Sequence, residues 1–196
     1  MHFEQLQSLE GLTIEGPLLI KPQVFGDDRG WFYESWNQRT FDEAVDEPVL
    51  FSQDNHSRSV QGVLRGLHYQ LAPASQAKLV RVSAGAIFDV AVDIRKSSAT
   101  FGKWVAAELS DENKSQFWIP EGFAHGFLTL SSYAEVQYKA RGFWNKCFER
   151  SIIWNDPDLA IAWPMNQLQG AMISLSDKDE RAYTFRIAET SGDIFL

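Results

Sequence analysis

The sequence predicts an all-β fold, a β-sandwich or barrel with short peripheral helices. Turn residues recur at short intervals, several runs alternate between apolar and polar residues, and no repeat or linker-like tract divides the chain. At 196 residues and 22.3 kDa, the chain has a length that sandwiches and barrels often reach without dividing. We therefore expect a single domain over residues 1–196.

The strands are predicted from runs of β-branched and aromatic residues bounded by glycines. The clearest is Ile87–Ile94, in which every second residue from Phe88 onwards is apolar, so that one face belongs to the core while Asp89 and Asp93 share the other. The full set in chain order is Trp31–Trp36, Val63–Gln70, Lys78–Val82, Ile87–Ile94, Trp104–Leu109, Gly126–Leu130 and Glu135–Ala140.

A short helix is predicted over Asn37–Val45, because apolar residues recur at helical spacing from Phe41 and Asn37 is a suitable N-terminal cap. Trp154–Asp158 is predicted to be a turn, since Pro157 restricts the residue before it. Beyond this turn the alternation fades, and we expect connecting structure.

The composition argues against several classes of protein, namely nucleic-acid binders, secreted proteins and membrane proteins. The 44% hydrophobic and 13% aromatic content predicts a folded core, and the formal charge of −8 disfavours nucleic-acid binding, which needs clustered cations. Residues 1–23 lack a basic start and a long apolar run, so we expect no signal peptide and no membrane segment. Cys147 is the sole cysteine, which excludes an intramolecular disulfide and favours a cytoplasmic location.

Residues Pro120–His125 form the Pro-x-Gly-x-x-His turn that is characteristic of the cupin jelly roll. A metal cupin would also carry a His-x-His pair upstream, but here the chain reads His68-Tyr69-Gln70. A transition metal usually needs about three nitrogen or oxygen ligands from the protein. Since only His68 and His125 are offered, we predict a site without metal.

His68 is a candidate general base, because an imidazole with an ordinary pKa of about 6.5 accepts protons near neutrality. Alternation places it on one strand face with Leu64, Gly66 and Gln70, and Gly66 would leave room for a ligand to approach. The alternative is a buried histidine that is satisfied by a backbone carbonyl.

Two further side chains supply complementary chemistry. The ammonium of Lys78 can stabilise an oxyanion on a substrate carbonyl, although an exposed lysine at a strand edge is the alternative. Tyr138 is expected to point inward between Val136 and Ala140, where a phenol with an ordinary pKa of about 10 suits the acid role. A core tyrosine with a hydrogen-bonded hydroxyl is its alternative.

Arginines and aromatic residues are candidates for ligand binding. Arg29 and Arg65 can present planar guanidinium groups to phosphate oxygens, or can form surface ion pairs instead. A nucleobase or hexose could stack on an aromatic ring, although aromatics in β proteins usually belong to the core. The candidates are Phe32, Tyr69, Phe127, Phe143 and Trp144.

An ordered set of motifs resembles the dTDP-4-dehydrorhamnose 3,5-epimerase family. The similarity covers roughly residues 16–179 and leaves 180–196 as a C-terminal tail. The motifs lie within Asp28–Glu34, Gln53–Ser57, Gly62–Gln70, Lys78–Arg81, Asp89–Arg95, Ser98–Gly102, Trp118–Phe127 and Tyr138–Lys139.

The resemblance implies a cofactor-free homodimer that inverts C3 and C5 of dTDP-4-dehydro-6-deoxy-D-glucose beside the C4 ketone. His68 is similar to the family's base, Tyr138 to its acid and Lys78 to the cation at the enolate oxygen. The family's Ser-x-Lys-Asp motif matches Ser176–Asp179, so Asp179 is the expected partner of His68. Residues 165–173 look longer than the usual spacing, so Asp177 and Asp156 are alternative partners.

The same resemblance implies a set of substrate contacts, with basic residues directed to the diphosphate and aromatic residues to thymine. These are Arg29, Glu34, Gln53, Asn55, Arg65, His125, Phe127 and Lys178.

Three other functions remain compatible with the sequence. The first is epimerisation of a single carbon, or movement of the keto group, on the same scaffold. The second is a metal-dependent cupin oxygenase, against which Gln70 argues. The third is a sugar-binding jelly roll without catalysis.

Overall fold

The computed structural model describes residues 1–196 and consists mainly of antiparallel β-strands. The strands are β1 His2–Gln7, β2 Thr13–Lys21, β3 Val24–Asp27, β4 Gly30–Tyr33, β5 Phe51–Val60, β6 Leu64–Gln70, β7 Lys78–Ala84, β8 Ala86–Asp93, β9 Trp104–Ser110, β10 Gln116–Ile119, β11 Phe123–Thr129, β12 Tyr133–Arg141 and β13 Glu149–Ser151. The helices are α1 Gln38–Val45, a 3-10 helix over Met165–Leu168, α2 Asp177–Glu180 and α3 Phe185–Thr190.

Two sheets enclose the core. One has the order β1-β2-β10-β7-β12-β5 and the other the order β13-β6-β11-β8-β9, while β3 and β4 form a separate hairpin. Apolar side chains from both large sheets form one buried cluster, which includes Val80, Ala91, Phe117, Phe123 and Val136. The predicted all-β jelly-roll class with short helices is therefore confirmed.

Several strands were not predicted from the sequence. β5 reads Ser-Gln-Asp-Asn-His-Ser-Arg-Ser between its ends, so it lacks the apolar alternation that marks a half-buried strand. It lies at the edge of its sheet and pairs with β12 alone in that sheet. β1, β2, β3, β10 and β13 were also missed, and the predicted strand at Trp31–Trp36 ends at Tyr33.

The predicted helix is confirmed as α1. The side chain of Asn37 accepts a hydrogen bond from the backbone N–H of Thr40, which caps the first turn. Phe41 is buried on the outer face of the six-stranded sheet and packs edge-on against Trp118 at 5.1 Å between ring centroids. None of the helices has the length and apolar character needed to cross a bilayer.

The C-terminal tail covers the outer face of the five-stranded sheet. Phe185, Ala188 and Ile194 belong to the same buried cluster as residues of β6, β8 and β11. The hydroxyl of Tyr69 donates to the backbone oxygen of Asp193 at 2.6 Å. The hydroxyl of Tyr69 is therefore used in the contact with the tail.

A bulge in β6 changes which of its residues share a face. His68 lies opposite His125 and Leu64 lies opposite Leu128, so that β6 uses four residues where β11 uses three. Leu64 consequently joins the outer cluster, and the prediction that it shares a face with His68 is wrong.

The prediction that Gly66 leaves room for a ligand is also wrong, because the backbone of β11 fills the space beside it. A β-carbon at this position would lie 2.5 Å from the Cα of Gly126, and the φ angle of +129° is rarely adopted by other residues. Gly66 therefore allows the backbones of β6 and β11 to approach closely where the bulge forms.

Candidate active site

A small pocket opens between the two sheets at the bulged end of β6. Its cavity has a volume of about 70 Å³ and is lined by His68, Tyr69, Gln70, Gln76, Lys78, Ile119, Phe123, His125, Tyr138, Trp144 and Glu149. A larger cavity of about 470 Å³ lies along the outer face of the six-stranded sheet, beside Arg81 and Gln137. His68 and Lys78 do not line that cavity, so the smaller pocket holds the titratable groups suited to catalysis.

His68 and Asp179 form a hydrogen-bonded pair. The Nε2 atom of His68 lies 2.5 Å from Oδ1 of Asp179, and an ionised carboxylate only accepts, so Nε2 carries the hydrogen. This leaves Nδ1 of His68 as the nitrogen that can take a proton. The pair joins β6 to α2 across 111 positions of sequence.

Ser176 holds the carboxylate in place. Its hydroxyl donates to Oδ2 of Asp179 at 2.7 Å, and its side chain caps α2 by accepting from the backbone N–H of Asp179 at 3.2 Å. Asp177 is exposed, and Asp156 uses its carboxylate to accept from the backbone N–H groups of Asp158, Leu159 and Phe185. Of the three carboxylates considered, Asp179 is the one that contacts His68.

Burial sets the protonation of this pair. Burial lowers the pKa of His68, against the opposing hydrogen bond and charge of Asp179, and the nearby Lys178 and Lys78 lower it further. Burial alone would raise the pKa of Asp179, but hydrogen bonds from His68 and Ser176 outweigh it and the pKa is lowered. The pair at neutral pH is therefore a neutral imidazole held by a carboxylate.

Lys78 and Tyr138 face the same pocket. The ammonium of Lys78 lies 5.7 Å from the centre of the Tyr138 ring. Burial lowers the pKa of Lys78 to about 8, which leaves it mostly charged at neutral pH. Burial, together with the charge of Glu149, raises the pKa of Tyr138 against the influence of Arg65, so the phenol keeps its proton.

The predicted contact residues Gln53, Asn55 and Arg65 lie along β5 and β6. The amide of Gln53 donates to Oδ1 of Asn55 at 3.0 Å and accepts from the backbone N–H of Trp144 at 3.0 Å. The buried amide nitrogen of Asn55 has no hydrogen-bond partner. Nε of Arg65 donates to the hydroxyl of Ser59 at 3.0 Å.

Other predicted contact residues have different surroundings. His125 lines the pocket, and Lys178 donates to Oε1 of Glu149 at 3.0 Å. Phe127 is 5% exposed and belongs to the core between the sheets, which corrects its assignment as a ligand contact. Arg29 pairs with Asp27 on the exposed hairpin, and Glu34 accepts from Asn37, so neither lines the pocket of its own chain.

Glu149 is a pocket residue that sequence reasoning missed. It lies on the three-residue strand β13 and accepts from Lys178 and, at 3.3 Å, from the indole N–H of Trp144. A strand this short gives no periodic signal, and Glu149 belongs to none of the quoted motifs.

Gln70 stands where a metal cupin would have its second histidine, and it fixes the loop that carries Trp144. Its amide donates to the backbone oxygen of Ala74 at 2.6 Å and accepts from the backbone N–H of Asn145 at 2.5 Å. No group of three or more His, Cys, Asp and Glu side chains is placed to hold a metal ion.

The arrangement combines a proton acceptor, a proton donor and a cation around one space. A neutral imidazole oriented by a carboxylate can remove a proton, a phenol can return one, and an ammonium can stabilise an oxyanion between them. These three functions are those required to exchange hydrogen on a carbon beside a carbonyl group.

Comparisons with known proteins agree on one family. A family model described as dTDP-4-dehydrorhamnose 3,5-epimerase matches residues 11–186. A dTDP-4-dehydrorhamnose 3,5-epimerase of Pseudomonas aeruginosa is 58% identical over 178 residues, which cover 91% of this chain and 96% of the relative.

Solved structures give the same result. A dTDP-6-deoxy-D-glucose-3,5-epimerase from Legionella pneumophila, in complex with dTDP-4-keto-L-rhamnose, superposes with a TM-score of 0.87 at 46% identity, covering 97% of this chain and 96% of that one. A 3'-monoepimerase from Streptomyces bikiniensis, in complex with dTDP-quinovose, also has a TM-score of 0.87, at 34% identity and with coverage of 94% and 91%.

Proposed function

Since the chain belongs to the dTDP-4-dehydrorhamnose 3,5-epimerase family, we propose that His68, Asp179, Tyr138 and Lys78 carry out its reaction in the pocket between the sheets. The enzyme is an isomerase of dTDP-rhamnose biosynthesis. It inverts C3 and C5 of dTDP-4-dehydro-6-deoxy-D-glucose and gives dTDP-4-dehydro-L-rhamnose.

The chemistry follows from the C4 ketone of the substrate. Removal of the hydrogen at C3 or C5 by Nδ1 of His68 leaves an enolate, whose negative oxygen is stabilised by the ammonium of Lys78. Asp179 stabilises the imidazolium that results, because its carboxylate already accepts from Nε2. Return of a proton to the opposite face of the carbon, from the phenol of Tyr138, completes the inversion.

The observation that carries this proposal is the His68–Asp179 hydrogen bond at a pocket that also holds Lys78 and Tyr138. The test is to incubate the enzyme with the 4-keto nucleotide sugar, reduce the ketone with borohydride, and identify the sugar after hydrolysis. We expect sugars of the L-series that are inverted at both carbons. Recovery of only D-gluco and D-galacto products would refute the proposed activity.

Tyr138→Phe is expected to separate proton removal from inversion. Without the phenol, His68 still removes the hydrogen, but the enolate is then reprotonated on the same face that the hydrogen left. We expect epimerisation to fall about 10²-fold, within the range for one acid group, and hydrogen exchange with solvent to fall much less. Proton NMR in heavy water measures both rates, and equal losses would remove Tyr138 from the acid role.

The enzyme is further proposed to act as a homodimer in which each hairpin completes the partner's site. The hairpin β3–β4 exposes Trp31 by 60% and Phe32 by 72%, which is unusual for large apolar side chains of a monomer. Arg29 lies on the same hairpin outside its own pocket. A second copy would cover the apolar rings and bring this guanidinium to the diphosphate.

Subunit mixing tests the homodimer. Arg29→Ala and His68→Ala should each be weakly active alone, and mixed dimers should regain activity, because one pocket then has an intact base and receives an intact hairpin. Sedimentation gives the oligomeric state, and co-purification of the untagged Arg29→Ala subunit with a tagged His68→Ala subunit confirms that the subunits have exchanged. A monomeric enzyme, or mixed dimers without any recovery, would contradict this arrangement.

The remaining contacts follow from position. Arg65, Gln53, Asn55, His125 and Lys178 are proposed to bind the diphosphate and sugar, and Trp144, at the pocket, to stack on thymine.

We propose that residues 1–196 act as one domain, since the tail packs into the cluster formed by β6, β8 and β11. A cytoplasmic location and the absence of nucleic-acid partners are proposed from the single cysteine and the charge of −8.

A single-carbon epimerase is the second candidate, because a 3'-monoepimerase shares the fold at 34% identity. The greater identity to 3,5-epimerases, 58% and 46%, favours inversion of both carbons. The borohydride experiment separates the two, since a monoepimerase would leave C5 unchanged. Family membership leaves the oxygenase and the non-catalytic sugar binder without support.

A further inference from the structure

A second buried imidazole–carboxylate pair lies beside Lys78 and has no role in the proton transfers described above. Nε2 of His125 is 2.6 Å from Oδ1 of Asp89. Asp89 is fully buried on β8, and its second carboxylate oxygen has no hydrogen-bond partner. A buried carboxylate with so few partners is costly unless a cation is close to it.

The hydrogen bonds run in one direction from Lys78 to Asp89. Nζ of Lys78 lies 3.4 Å from Nδ1 of His125. An ammonium only donates and a carboxylate only accepts, so His125 carries its hydrogen on Nε2 and offers the lone pair of Nδ1 to the lysine. Protonation of Nδ1 would place an N–H and a positive charge against the ammonium.

We propose that Asp89 is a positioning residue for Lys78: through a neutral His125 it holds Nζ in the pocket and supplies the negative charge that keeps the lysine an ammonium. The proposal rests on the proposed function for the role of Lys78 at the enolate oxygen. It assigns to His125 a task besides substrate contact.

The electrostatic surroundings of Lys78 support this assignment. Burial lowers the pKa of Lys78 to about 8, and the positive charge of Lys178 also lowers it. The charges of Asp89 and Glu149 raise this pKa, and Asp89 has the larger effect of the two. The other titratable groups that line the pocket are the neutral His68 and the phenols of Tyr69 and Tyr138. Since the ammonium exists below its pKa, activity should fall as the pH rises through about 8.

Asp89→Asn tests the proposal through the pH profile. Loss of the charge should lower the pKa of Lys78, so that the alkaline fall in kcat/KM moves to lower pH by about one unit or more. Rescue of activity by lower pH is a result that a merely structural role would not give. A folded Asp89→Asn enzyme with an unmoved alkaline limb would overturn the proposal.

Asp93→Asn is the matched control. Asp93 is also fully buried on β8, but its carboxylate accepts from Arg95, Ser98 and Thr100. Its replacement should lower the melting temperature and leave the alkaline limb in place. A shift equal to that of Asp89→Asn would mean that any buried carboxylate on β8 has the effect, and would refute the specific role.

An NMR measurement on the unmodified enzyme gives an independent test without substrate. In ¹⁵N-histidine spectra at pH 7.5, assigned with a His125→Asn sample, His125 should be the neutral Nε2–H tautomer. A doubly protonated ring or an Nδ1–H tautomer would refute the hydrogen-bond direction. Because no turnover is involved, failure of the proposed reaction would leave this result unaffected, and the two can be distinguished.

Discussion

Replacement of His68 by alanine should reduce the rate of hydrogen exchange at C3 and C5 by about 10³- to 10⁴-fold, at the upper end of what one general base contributes. The imidazole of His68 is neutral. Its Nε2 is hydrogen-bonded to the carboxylate of Asp179, so Nδ1 is free to accept a proton. Nucleotide-sugar binding should stay largely intact, because the residues proposed to bind the diphosphate and thymine are unchanged in this variant. Proton NMR in heavy water measures the exchange, and calorimetry measures the binding.

His56→Ala is the matched control for this variant. His56 is about half exposed, and its Nε2 lies 3.2 Å from Oε2 of Glu135, away from the pocket that holds His68. Exchange by this variant should equal that of the unmodified enzyme. If His68→Ala retained normal exchange, the base would have to be another group, and the proposed mechanism would be lost.

Replacement of Lys78 by methionine should lower kcat by about 10²- to 10³-fold, which is the loss found when one group that stabilises an oxyanion is removed. Methionine has nearly the same length without the charge, so packing in the pocket is preserved while the enolate loses its cation. KM should change little, because the charge on the ketone oxygen develops only as the proton leaves.

Lys139→Met controls for the loss of a positive charge. Lys139 lies on β12 next to Tyr138, but its ammonium pairs with Asp54 at 3.2 Å and is partly exposed. The kcat of the Lys139→Met enzyme should remain within about a factor of two of that of the unmodified enzyme, because a surface ion pair typically contributes little. A similar loss in both variants would show that net charge, and not the enolate contact, sets the rate.

The alternation of apolar and polar residues predicted the central strands, because each of these strands buries one of its two faces in the core. It placed Tyr138 inward correctly, since β12 is regular around this residue. The same rule failed in β6, where one extra residue at the bulge reverses the faces between Leu64 and His68. Nothing in the local sequence except Gly66 indicates where a bulge falls, because the partner strand β11 determines it.

The candidate active site was predictable only to the extent that its residues belong to motifs. His68 and Asp179 are 111 positions apart, and no period or spacing connects them, so their pairing came from resemblance to a family. Glu149 and Asp89 were not assigned a role because their partners, Lys178 and His125, are supplied by other strands and helices. Phe127 shows the opposite error, since an aromatic residue at the end of a motif belongs to the core.

The most direct measurement is the deuterium content of the product at C3 and C5 after a single turnover in heavy water. If a base removes each hydrogen and a different group returns a proton, both inverted carbons should carry solvent deuterium. The His68→Ala enzyme should incorporate none above background. An inverted product that keeps its original hydrogen at either carbon would contradict proton removal by His68 at that position.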